Sequence, residues 1–123
     1  MTVHLERRDD VLMLSIREPA EKDDGERYIA ALELVSGAAA PFLLLVDVEK
    51  ELALSQAHRK AQNRWYKATR ARLDRSCLAA AIIRLRPTAA AQRTFQGLWR
   101  FPLLVTGDKG EAEAFLIRHR RAQ

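Results

Sequence analysis

The residues best equipped for chemistry in this chain are two arginines, Arg84 and Arg86, standing just before Pro87, where a helix is expected to begin. Guanidinium groups beside the free N–H groups of a helix start suit a phosphate or carboxylate, because both donate hydrogen bonds to anionic oxygens. Asp47, Thr106 and Asp108 stand at the ends of two other apolar runs. In an open parallel sheet, ligands gather outside the carboxyl ends of the strands. Asp47, Arg84, Arg86, Thr106 and Asp108 therefore form one candidate site for a small anionic ligand. The competing reading leaves the arginines in solvent, with Asp47 paired to one of them. Phosphorylation of Asp47 itself would need further carboxylates for a magnesium ion, and none follows the earlier strands in a suitable position.

Little else in the sequence points to a reaction. His4, His58 and His119 are scattered, Cys77 sits in an apolar run as a small core residue, and no serine or cysteine stands at catalytic spacing from a histidine. A glycine-rich phosphate loop, metal-ligand spacing and a nucleophile elbow are all missing, so the expectation is a protein that is not an enzyme and uses no cofactor or metal. Two surfaces are candidates for interfaces. Arg59, Lys60, Lys67 and Arg70 fall together on one helix face, with Tyr66 nearby, and could follow a phosphate backbone. No helix-turn-helix, zinc finger or ribonucleoprotein motif accompanies them, and a charged stripe opposite an apolar one is what any solvated helix shows, which ranks nucleic acid last among partners. Trp99 and Phe101 lie at a helix-to-strand junction, where large aromatics either anchor a protein interface or close the end of the core.

These residues must be positioned by elements that the apolar pattern makes legible. Val3 to Arg7 and Val11 to Ile16 read as strands of an antiparallel hairpin around Arg8-Asp9-Asp10. Pro19 and the acidic group Glu21, Asp23, Asp24 and Glu26 suit a helix start, predicting a helix over about 21–36. The run Phe42 to Val48 predicts a central strand covered on both faces. Ser55 is placed to cap a long helix through about Asp74, with Leu54, Ala57, Ala61, Trp65 and Ala68 inward. A second interior strand follows at 77–83, then a helix from Pro87-Thr88 carrying Ala91, Phe95 and Leu98 toward the core, a strand over 102–105, and a final helix burying Ala112, Phe115 and Leu116. The order ββαβαβαβα predicts an α/β domain with a mostly parallel sheet and right-handed crossovers.

With 123 residues and 48% apolar content the chain suits one domain spanning 1–123. Charged residues near the N-terminus and short apolar runs predict a cytoplasmic, soluble protein with no transmembrane segment. Up to Ala53 the chain holds 12 acidic and 6 basic residues; from Leu54 onward it holds 15 basic and 4 acidic. That asymmetry can orient a partner without naming one.

The stretch Phe95-Gln96-Gly97-Leu98-Trp99-Arg100-Phe101-Pro102-Leu103-Leu104-Val105, followed by Asp108 and Glu111-Ala112-Glu113-Ala114-Phe115-Leu116, resembles the ending of SpoIIAA-like proteins of the STAS/SEC14 grouping. Leu44-Leu45-Val46-Asp47-Val48 and the opening hairpin extend the likeness over most of the chain. The resemblance implies a βα superhelical domain acting through a protein partner or a second copy of itself, with lipid- or anion-binding relatives suggesting a ligand instead. The antagonists of that grouping carry a phosphorylatable serine in an Asp-Ser-Ser-Gly-like turn, where this chain has Val48 to Ser55, so their switch does not carry over. Ser55 is the remaining serine that could take a phosphate by that analogy, its helix start stabilising the added charge. Thr106 and Phe115 also stand where the family has an aromatic residue and a tryptophan.

Overall fold

Asp9, at the first central position of a two-residue turn, takes a φ of 55°, a left-handed conformation that folds the chain back into an antiparallel hairpin. The computed structural model describes residues 3–17, 21–49 and 54–120. The expected helix start at Pro19 lies outside them. In order, the elements are β1 (Val3–Arg8), β2 (Val11–Ile16), α1 (Asp24–Ser36), β3 (Phe42–Val48), α2 (Gln56–Ser76), β4 (Cys77–Arg84), α3 (Ala89–Leu98), β5 (Leu103–Thr106) and α4 (Lys109–Arg118).

The five strands form a mixed sheet in sequence order, antiparallel between β1 and β2 and parallel thereafter. Each crossover moves one strand along in the same direction, so right-handed connections bring α1, α2 and α3 to the same face. The last helix, α4, packs on the other face. There Ala112 and Leu116 close a dry core with Leu43, Leu45, Ala79, Ala81 and Ile83. Small alanines on β4 let α4 sit close to the sheet. Arg120, just beyond α4, ties this helix to the hairpin turn through two hydrogen bonds to the Asp10 carboxylate, at 2.7 and 3.0 Å.

The helical boundaries follow local chemistry. Ser55 accepts from the His58 N–H, Thr88 from the Ala91 N–H and Asp108 from the Gly110 N–H, so each of α2, α3 and α4 starts on a side-chain cap. α1 begins later than the acidic run suggests, at Asp24, whose carboxylate accepts from the Glu21 N–H at 2.7 Å.

The expected inward face of α2 is rotated. Ala57 and Ala68 are exposed, and the helix turns Gln62, Trp65, Tyr66 and Leu73 toward the sheet. An alanine has little surface to bury, so aromatic and leucine side chains decide the orientation. Even so, Leu73 is the one buried residue of this 21-residue helix, and α3 has none.

The placement of α3 explains much of this looseness. β5 ends the sheet, and its outer edge is bonded by two glutamines one turn apart on α3. Gln92 donates to the Leu103 carbonyl at 2.6 Å and accepts from the Val105 N–H at 2.7 Å. Gln96 accepts from the Leu103 N–H at 2.8 Å and donates to the Phe101 carbonyl at 2.9 Å. The pair acts as a surrogate sixth strand and covers an edge that would otherwise recruit another chain. It also fixes α3 beside the sheet rather than over its centre.

An unfilled layer between sheet and helices

Because α3 is held at the edge and α2 is held off the sheet by its aromatics, the helical face of the sheet is not filled. A cavity of about 390 Å³ lies between β2–β5 and the helices α1–α3. Its floor is the row Leu44, Val46, Val48 and Ile82, side chains of the two central strands that remain only half-buried. The expectation that β3 is covered on both faces holds for Phe42, Leu43 and Leu45, whereas Leu44, Val46 and Val48 are half-buried and border the cavity.

One end of the cavity is aromatic. Trp99 stacks on Phe101 with ring centroids 5.3 Å apart, and Tyr66 and Trp65 meet the Trp99 ring edge-on at 5.0 and 6.1 Å. The Tyr66 hydroxyl donates to the Leu98 carbonyl at 2.5 Å, and the Trp65 indole N–H to Ser36 Oγ at 3.1 Å. Nearby, Tyr28 donates to Gln62 Oε1 at 2.6 Å, and burial pushes its phenol up to about 12. Cys77 also borders the space; burial pushes its thiol up to about 12, which keeps it protonated and poorly nucleophilic. Phe101 is buried and Trp99 half-buried, and both line the cavity, which agrees with the reading that they close the end of the core.

The opposite end lies at the carboxyl ends of the strands, bordered by Ile16, Val48, Leu54 and Arg84. Arg84 is the only lining residue among those described that carries a full charge at neutral pH. Asn63 and Leu98 line the cavity and are exposed, so it reaches the surface on the helical side.

The five residues expected to form an anion site are not brought together. Alternation along β3 and β4 puts Asp47 on the α4 face and Arg84 on the cavity face, with the sheet between them. Asp47 is paired with Arg17, which donates to it at 2.8 Å and to Glu49 at 3.0 Å. Thr106 shares the Asp47 face across β4, about 10 Å away at two strand spacings. Its buried hydroxyl accepts from the Asp108 N–H at 3.1 Å, while the Asp108 carboxylate caps α4. Arg86 is exposed beyond β4. Ser55 serves as a cap, and its hydroxyl also meets His58 Nδ1 at 2.9 Å. Arg59, Lys60, Lys67 and Arg70 are all exposed on α2, as their spacing predicts.

Sequence reasoning missed Arg17 and most of the cavity wall. Signals for some of it exist: Tyr28 and Gln62 are polar residues on inward helical positions, and Gln92 and Gln96 repeat at helical spacing. Nothing in an apolar run distinguishes a side chain that packs from one that faces a void. Among the described residues no group of His, Cys, Asp and Glu could hold a metal ion, and no helix is long and apolar enough to cross a membrane.

Fold and cavity together define an α/β domain with a mixed five-stranded sheet, one face dry and the other hollow. No family model matches the chain, and neither a curated protein nor a solved structure matches it.

Proposed function

We propose that this domain is a non-enzymatic binding protein for a small amphipathic ligand, with an apolar body in the cavity and one anionic group near Arg84. The observation that carries the reading is the hollow itself. Leaving a space of about 390 Å³ dry costs its apolar walls the packing contacts that a filled core would supply. Water gains little there, because the walls are mostly aliphatic and aromatic and offer few of the polar partners an ordered water needs. An apolar ligand removes both costs.

Arg84, the one cation among the described lining residues, gives such a ligand its polarity, since a guanidinium favours a carboxylate or phosphate over a neutral head. A role in docking a protein partner through Trp99 and Phe101 draws less support, because both rings belong to the cavity wall. The order of elements and the ending of the chain are similar to SpoIIAA-like domains of the STAS/SEC14 grouping, and the lipid-carrying side of that resemblance is the one a hollow helical face favours.

Both tryptophans of the chain line the cavity, so intrinsic fluorescence reads its occupancy directly. Titration with dodecanoate and dodecanol, below the concentration at which either aggregates, should shift the emission with both and with lower Kd for the acid. Arg84→Gln should bring the two to parity. An emission that neither compound changes would sink the reading.

A further inference from the structure

The surface above the cavity has a charge distribution that the ligand reading does not use. From Leu54 to Thr106 the chain carries eleven basic residues and one acidic residue, Asp74. That carboxylate is engaged by the Arg100 N–H at 2.8 Å. Arg59, Lys60, Arg64, Lys67, Arg70 and Arg75 occupy one continuous exposed face of α2, and none of them meets a carboxylate among the described residues. Six like charges along one helix repel each other and lower its stability, so the stripe is a cost to the fold unless an anion balances it.

A second exposed feature is apolar. Leu85 exposes 84% of its surface between Arg84 and Arg86, at the carboxyl end of β4, the end of the sheet at which α2 also starts. An exposed leucine flanked by arginines, at the end of the sheet where a basic helix starts, fits a surface that is anionic outside and oily just below. Single-stranded nucleic acid would call for exposed stacking rings, and Trp65, Tyr66 and Trp99 are committed to the cavity.

We propose that the α2 face and the Leu85 tip form a docking surface for an anionic lipid bilayer, placing the cavity against the phase from which an amphipathic ligand is drawn or to which it is returned. The choice of a bilayer over other polyanions rests on the ligand reading; the charge argument stands without it. Each Lys or Arg held near an anionic leaflet contributes on the order of 1 kcal/mol, an attraction confined to about a Debye length, so docking is steeply sensitive to salt and absent on neutral lipid.

The full chain is tested by flotation with vesicles of phosphatidylcholine alone and of phosphatidylcholine with one quarter phosphatidylserine. The expected result is binding to the second only, lost on raising the salt. Replacing Arg59, Lys60, Lys67 and Arg70 by Gln should weaken it about a hundredfold or more, and Leu85→Ser should weaken it severalfold at unchanged charge. Dodecanoate uptake without vesicles is measured on the same samples. Uptake retained by the quadruple variant shows that it is folded and that the surface alone was removed. Equal binding to both vesicles, binding that salt does not change, or retention on duplex DNA but not on anionic vesicles at the same ionic strength would overturn the proposal. Vesicle binding without any dodecanoate uptake would leave the surface standing and reject the cavity reading instead.

Discussion

Replacing Ala80 by Leu separates a hollow interior from a packed one by the sign of the change it produces. Ala80 is buried on β4, pairs in register with Leu44 and Leu103, and lies on the cavity wall. Ala80→Leu adds three carbon groups that point into the cavity. At about 0.8 kcal/mol per buried methylene the gain is about 2.4 kcal/mol, from which side-chain ordering removes roughly 0.5 to 1. The variant should therefore be about 1.5 to 2 kcal/mol more stable in urea, with an unchanged denaturant slope. In a close-packed core the same enlargement costs about 1 to 3 kcal/mol. Ligand affinity should move the other way, since three of the ligand's own methylenes are displaced; 2.4 kcal/mol corresponds to roughly fiftyfold weaker dodecanoate binding. A less stable variant that takes up dodecanoate as well as the parent would show that helices and sheet already meet in solution, and the reasoning would fail.

Gln92→Leu keeps bulk on α3 but leaves the Leu103 carbonyl and the Val105 N–H unpaired at the sheet edge, so stability in urea should fall by about 2 kcal/mol; an unchanged midpoint would mean that water replaces the glutamine freely. The Arg120 guanidinium holds the Asp10 carboxyl below the usual carboxylate range, so its contribution is present above the ordinary value and disappears as pH falls through the lowered one. Arg120→Gln should accordingly melt at a lower temperature than the parent near neutral pH, with the difference closing in acid, and a gap independent of pH would argue that the arginine acts by packing instead.

The architecture was available from local pattern because each segment carries its own signal. The apolar runs at Phe42 to Val46 and Cys77 to Ile83 read as strands, and Ser55 and Thr88 mark helix starts through hydrogen bonds that each forms within its own turn. The order of strand and helix then leaves few topologies once crossovers are right-handed. The exposed basic face of α2 was equally readable, as it depends on helical period alone.

What only the tertiary structure decided is where apolar surface stays unsatisfied. Leu43 and Leu44 are neighbours of one type, yet the first is sealed beneath α4 and the second faces a void. That difference arises because two glutamines on α3 hold a helix to a sheet edge, and because α2 rests on rings rather than on the alanines that its period favours. Both are distances between elements, and no property of either segment taken singly encodes them. For the same reason Asp47 and Arg84, which stand at equivalent ends of adjacent strands, could be grouped by sequence into one site. One residue of offset in the pleat puts them on opposite sides of the sheet.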